Sequence, residues 1–332
     1  SSSAANPSSI HSHGRKAKDL LETARGQVAS CLHVLPQEIL FTSGATESNN
    51  MVIQSICEDS GVSCEVITSS AEHPAVYQTI QKMESQGRCQ KKEIPLDPHG
   101  QIDLEHLLSM VTKETKLLTL IHVNNETGII QPVKEIARLV KEKAPHVHIH
   151  VDGVQALGKL DLSDLSEYPI DSAAFSAHKV GGLSGIGCLF VKTNNIKPLL
   201  FGGGQEKKLR PGTENLVGAL SFGLRAEFLR ENPRWLSHLV SLRELFHKEL
   251  GTHPKVTIHG RKNQVVCNTV SIHVEGCDRR KILLAFDLKG ISVASGSACS
   301  SGEMKPSPVL KAMGLSDQVA THTLRLSFGD KT

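Results

Sequence analysis

The 332-residue sequence carries 37 Lys+Arg against 34 Asp+Glu, a formal net charge of +3, and 39% of its residues are hydrophobic. So balanced a charge excludes the strongly basic composition of a nucleic-acid binder, and the length admits two domains with a sizeable core. No apolar run approaches the roughly 18 residues of a membrane span, SSSAANPSSIHSHGRKAKD has no signal-peptide apolar region, and eight cysteines are too few for a disulfide scaffold, so we expect no nucleic acid, no membrane and reduced thiols in the cytoplasm.

In chain order, short apolar runs alternate with longer amphipathic stretches. Glu38–Thr42 (EILFT), Glu65–Ser69 (EVITS), Lys116–Val123 (KLLTLIHV), Val147–Asp152 (VHIHVD) and Ser172–Ser176 (SAAFS) predict strands, while Glu47–Asp59, Ala75–Gln86, Leu104–Val111 and Val133–Lys143 carry helical spacing. This alternation predicts an α/β fold whose mostly parallel sheet is covered on both faces. Gly187–Lys192 (GCLFVK) follows after only a glycine-rich loop and is expected to be an antiparallel addition. From Glu214 to Gly251 the pattern is helical with a break at Pro233; strand-like Val265–Val274 and Gly290–Ala294 and a helical Ser307–Ala312 follow. We therefore divide the chain into a large domain, 1–232, and a smaller α+β domain, 233–332.

Five places could carry chemistry. In FTSGATESNN a strand runs into Ser43-Gly44-Ala45-Thr46 and straight into a helix; backbone N–H groups there, with the Thr46 hydroxyl, suit a phosphate, although a capped helix needs no ligand. In FSAHKVGG, Lys179 stands at an apolar strand end beside His178, where desolvation favours a Schiff-base amine, or from which a lysine simply snorkels to water. In VDGVQALGK, Asp152 terminates a strand where it could hold a cofactor's ring nitrogen protonated. The same segment approaches a phosphate-binding loop, Gly153-x4-Gly158-Lys159, but Leu160 stands where the metal-holding hydroxyl belongs. Cys299 sits in ASGSACSSG, a run of small and hydroxylated residues expected to be exposed and mobile; Cys188, within GCLFV, reads as an ordinary strand residue. Arg325, in HTLRLSFG, alternates with apolar residues and could clamp a carboxylate or make a surface ion pair. Asn125-Glu126-Thr127 fits a glycosylation sequon, read as chance without a secretory route.

Together and in this order, TSGATESNN, EHPAV, HVNNETG, VDGVQALGK, SAHKVGG, GGGQEKKLRPGTEN and SGSACSSG resemble the cysteine desulfurases of the NifS/IscS type, aminotransferase class V enzymes of the fold-type I pyridoxal-phosphate group. The resemblance implies a homodimer with a large pyridoxal-phosphate domain and a small domain bearing a mobile cysteine loop. By it, Lys179 would hold the cofactor covalently and move the substrate Cα proton, Asp152 would pair with the ring nitrogen, Gln155 would contact the phenolic oxygen and His73 would stack on the ring as acid or base. Ala45, Thr46, Ser176 and His178 would bind the phosphate, with Thr213 reaching it from the neighbouring subunit. Asn125 would lie by the ring and the substrate, Arg325 would take the carboxylate of L-cysteine, and Cys299 would accept its sulfur for a scaffold or acceptor protein. The family's upstream strand and final helix are not expected within this sequence, and Val180-Gly181-Gly182 departs from the family's aromatic-Gly-Pro. Selenocysteine lyase and an aminotransferase share the fold as alternatives. A metal or iron–sulfur protein would need paired Cys/His spacing, which is lacking, so no metal is expected.

Overall fold

A computed structural model describes residues 5–59, 64–192, 196–232, 234–260, 264–295 and 305–329; residues 296–304, Cys299 among them, lie outside the described residues. The first element is α1 (Ser12–Leu32), which apolar alternation did not predict. Its buried face includes Ala17, Ala24 and Ala29, too small to give strong apolar contrast. His11 caps its start by accepting from Gly14 N (3.2 Å).

Next come β1 (Ile39–Thr42), α2 (Ala45–Asp59), β2 (Glu65–Ser69), α3 (Pro74–Ser85), β3 (Gln90–Ile94), α4 (Leu104–Met110), β4 (Thr115–Ile121), α5 (Val133–Lys143), β5 (His148–Asp152), β6 (Ser172–Ser176) and β7 (Gly187–Val191). The unpredicted strand is β3: it pairs in parallel at the sheet edge, so its QKKEI sequence remains polar. Helices α6 (Leu216–Glu231) and α7 (Arg234–Leu250) divide the long helical stretch where a break was expected. The remainder is β8 (Val256–His259), β9 (Thr269–Val274), α8 (Arg279–Asp287), β10 (Ala294–Ser295), α9 (Pro308–Ala312), α10 (Asp317–His322) and β11 (Leu324–Ser327).

Seven strands form a sheet in the order β1-β7-β6-β5-β4-β2-β3. All neighbours from β6 to β3 are parallel, and β7 runs antiparallel to both β6 and β1. Side chains alternate between two cores, as a pleat of period two requires. Ile39, Phe41 and Ile67 pack with α1, α5 and α6 on one face, while Leu40 and Val66 pack toward α2 and α3 on the other.

The second sheet, β10-β11-β9-β8, is antiparallel throughout and buries Val270, Ile272 and Leu324 against Phe246, Ile282 and Phe286. Two sequence expectations need correction here. The strand expected at Gly290–Ala294 is only Ala294–Ser295: Gly290 turns with φ 74°, and Ile291 is exposed. The strand expected from Val265 begins at Thr269, and Val265 makes an isolated bridge to Ile129. Among the described residues no helix is long and apolar enough to cross a membrane, and no cluster of His, Cys, Asp or Glu is placed to hold a metal ion.

Candidate active site

Parallel strands bring their carboxyl ends to one sheet edge, the usual ligand edge of open α/β folds. Here β5 delivers Asp152 and β6 delivers Ser176, while β7 begins there at Gly187. A Cβ on Gly187 would stand 2.5 Å from Phe175 O and 2.7 Å from Gly44 Cα, so only glycine lets β7 meet the turn before α2. Across that turn Ala45 N donates to Ser176 Oγ (2.9 Å), and Thr46 lies exposed in the first helical turn. Of the residues expected to bind a phosphate, Ala45, Thr46 and Ser176 lie together at this turn, where first-turn N–H groups lack intrahelical acceptors, and His178 follows just past β6.

Asp152 is buried, accepting from Asn49 Nδ2 (3.0 Å) on Oδ2 and from Val154 N (3.1 Å) on Oδ1. Burial raises its pKa against the opposing pull of His73, these two donors and Lys179. Lys179 sits in a single 3-10 turn (Ala177–Val180) just past β6, exposed to the cleft beside exposed His178. Desolvation and the Arg325 charge lower the Lys179 pKa, with Asp152 raising it in opposition, so the amine is easier to deprotonate than a free lysine. His178 is lowered likewise, by desolvation and then by Lys179. His73 caps α3: its Nδ1 accepts from Ala75 N (3.1 Å), which puts the ring proton on Nε2. Desolvation lowers its pKa, Asp152 opposes and Lys179 adds, so the ring is neutral.

Arg325 lies on β11 of the second sheet and reaches the loop after β4: its Nη1 donates to Asn125 O (2.9 Å), and its buried Nε has no hydrogen-bond partner among the described residues. That placement contradicts a surface ion pair and leaves donor capacity for an incoming anion. Gln155 Oε1 accepts from Lys159 Nζ (2.6 Å), which leaves the amide N–H₂ for another acceptor. Lys159 is buried rather than cradling phosphate, its pKa pushed down to about 8 by desolvation and then by Lys179. Thr213 lies exposed on the loop before α6, with no hydrogen bond to this cluster.

Three contributors were not singled out in the sequence. Asn124 accepts on Oδ1 from Glu126 N, Thr127 N and Thr127 Oγ1 and donates to Ala71 O, fixing the loop that presents half-buried Asn125. The sequon is thus folded into the site, with Thr127 buried. Glu126 accepts from Ser307 Oγ (2.6 Å) and ties that loop to α9. Asn49 is the buried partner of Asp152, indicated in sequence only by its place in TESNN.

Glu72 precedes His73 and is fully buried without a hydrogen bond of normal geometry to either carboxylate oxygen. Burial, then the Asp152 charge, raises its pKa well above the usual carboxylate range. A carboxyl that binds its proton more tightly when folded stabilises the fold at low pH, and that stability is lost as pH rises from the unfolded value through the folded one. Glu72→Gln removes the titration, so its stability relative to wild type should climb as pH rises above 4.5, by about 1.4 kcal/mol per tenfold difference in native proton affinity. Denaturant unfolding at a series of pH values checks this; a pH-independent difference would show Glu72 to be ionised in the fold.

The aminotransferase class-V family matches residues 1–332. The chain belongs to that family. This class-V chain is 35% identical over 328 residues to the cysteine desulfurase IscS of Dictyoglomus turgidum, covering 98% of this chain and 82% of that protein. Against IscS of Rickettsia massiliae the identity is 37% over 328 residues, with 96% and 78% covered. Among solved structures, a NifS-like protein superposes with TM-score 0.90 at 33% identity, covering 98% of this chain and 86% of that one. A structure described as SspA in complex with cysteine superposes with TM-score 0.85 at 30% identity, covering 99% and 92%.

Proposed function

We propose that this class-V chain is a cysteine desulfurase that uses pyridoxal 5'-phosphate to convert L-cysteine to L-alanine and places the sulfur on Cys299. The observation that carries the reading is the convergence of Asp152, His73, Lys179 and Arg325 at one sheet edge from four separate segments, each within electrostatic reach of another. Relatives named cysteine desulfurase and the cysteine-bound structural neighbour favour cysteine as substrate over selenocysteine or transamination.

The donor set fits a phosphorylated pyridine aldehyde. Each Asp152 oxygen holds one donor and keeps acceptor capacity for a ring N–H, the Gln155 amide has its N–H₂ uncommitted, and the α2 start joins Ser176 as an anion cradle. When bound, pyridoxal phosphate supplies the electron sink that makes the Cα proton acidic and the Cβ–S bond labile.

The protein's own groups do the rest. Asp152 would hold the ring nitrogen of the cofactor protonated, and Lys179, with its depressed proton affinity, would hold the cofactor and take the proton from the substrate Cα. His73, its Nδ1 committed to Ala75 N, would offer Nε2–H beside the ring. Arg325 and Asn125 would orient the substrate, and the Cys299 thiolate would attack the substrate sulfur as the Cβ–S bond breaks, its electron pair passing to Cβ, which takes a proton to become the methyl of alanine and leaves a persulfide on Cys299 for an acceptor protein. We read the chain as a cytoplasmic homodimer with domains 1–232 and 233–332. Phe201, 91% exposed, with exposed Leu200 and Val217, supports a subunit interface across which Thr213 serves the partner's phosphate site.

The reading is tested by supplying pyridoxal phosphate and recording the visible spectrum before and after L-cysteine. A band that changes with cysteine supports it; no band, or one indifferent to cysteine, overturns it. Arg325→Ala should raise KM for cysteine roughly 30-fold, the loss of about 2 kcal/mol of charge-assisted hydrogen bonding. Steady-state kinetics with an unchanged KM would assign the carboxylate to another group.

A further inference from the structure

Behind Asp152 runs a line of hydrogen bonds that the mechanism above does not use. Asn49 Nδ2 meets Asp152 Oδ2 (3.0 Å), and Asn49 Oδ1 meets His150 Nε2 (2.9 Å). His150 Nδ1 meets Ser172 Oγ (2.8 Å), which also meets His148 Nε2 (2.8 Å). Asn49, His150 and Ser172 are each 0% exposed, so water does not compete for these hydrogen bonds. His150 and Ser172 are register partners on β5 and β6, and Asn49 descends onto them from α2.

Such a line has two polarities. An ionised Asp152 can only accept, so Asn49 turns its N–H₂ to it and its carbonyl to His150, which must carry the proton on Nε2. His150 Nδ1 then accepts from the Ser172 hydroxyl, whose oxygen accepts from His148. A protonated Asp152 can instead donate to the Asn49 carbonyl, and in that polarity every link reverses and the His150 proton lies on Nδ1. The Nε2–H tautomer of His150 therefore marks the polarity in which Asn49 donates to Asp152, the one that favours its carboxylate.

We propose that His150 is a positioning residue whose Nε2–H tautomer, relayed through Asn49, holds Asp152 as a carboxylate for the cofactor ring nitrogen. This rests on the cofactor reading above. Burial keeps His150 neutral, with a pKa pushed down to about 3, so its variable is the tautomer rather than the charge. Its titratable neighbour is His148, itself neutral by burial and facing Asp171 and Lys141, which pair with each other at 2.8 Å. Around Asp152 stand His73, Lys179 and Glu72, and of these only Glu72 opposes its ionisation.

The test labels histidine with ¹⁵N in the full chain, assigns His150 by its loss in His150→Gln, and reads the tautomer with and without pyridoxal phosphate. The loaded protein should show Nε2–H with unprotonated Nδ1. His150→Phe should weaken cofactor binding about tenfold, as loss of a buried hydrogen bond does. It should also move the pH midpoint of the visible band upward by about one unit, because a ring nitrogen that loses its proton no longer disfavours one on the Lys179 nitrogen. His150→Gln, whose amide N–H₂ replaces Nε2–H, should restore both. An Nδ1–H tautomer in the loaded protein, or a wild-type midpoint in His150→Phe, overturns the proposal. Should the wild type take up no pyridoxal phosphate, the cofactor reading fails by itself. The tautomer of the protein alone then decides the relay, Nε2–H supporting it and Nδ1–H overturning it.

Discussion

Lys179→Ala is expected to abolish covalent attachment of pyridoxal phosphate. Borohydride reduction of the wild type should fix the cofactor to the chain at Lys179, and the variant should carry none by mass spectrometry. Turnover of L-cysteine should fall by about a thousandfold or more, since the same amine supplies both attachment and proton transfer. The competing amine is Lys159, which is also depressed, to about 8. Its surroundings differ: Lys159 is buried and donates to Gln155 Oε1 at 2.6 Å, whereas Lys179 is exposed and feels the opposing charges of Arg325 and Asp152. A reduced adduct on Lys159, or a wild-type adduct yield in Lys179→Ala, would move the attachment site.

Cys299→Ser should separate the two halves of the reaction. The residues proposed to hold the cofactor do not include Cys299, so pyridoxal phosphate uptake and the spectral response to L-cysteine should survive. Persulfide on the protein should disappear, and alanine formation should fall by at least about a hundredfold, because a hydroxyl is a poor nucleophile at neutral pH. Among the described cysteines most offer no substitute: Cys57, Cys64, Cys89, Cys188 and Cys267 are buried, and burial raises the thiol pKa of Cys188 and Cys267. Alanine release at the wild-type rate from Cys299→Ser would remove it from sulfur transfer.

Much of this was legible in the sequence because the parallel strands are buried on both faces. EVITS and SAAFS match their strands to the residue, and VHIHVD ends its strand on the aspartate that faces the ligand edge. Elements whose side chains carry little contrast were not legible: α1, whose buried face mixes Gly14, Ala17, Ala24, Ala29 and Arg25 with its larger apolar residues, and polar QKKEI, which an edge position permits. The site's supporting residues were hidden for another reason. Asn49, Asn124 and His150 act through partners 103, 53 and 101 positions away in sequence, and an asparagine in a helix or a histidine in a strand carries no periodic signature of such a partner. His150 in particular reads as one more residue of a strand until β6 and α2 close over it.

The most direct test of the central claim is a single-turnover measurement without reductant. One equivalent of L-[³⁵S]cysteine is mixed with the cofactor-loaded protein, and alanine and protein-bound sulfur are counted together. The account predicts that alanine and chain-bound sulfur appear in equal amounts, with the label on the peptide containing Cys299. Cysteine recovered unchanged, or alanine formed with no sulfur retained on the chain, would contradict it.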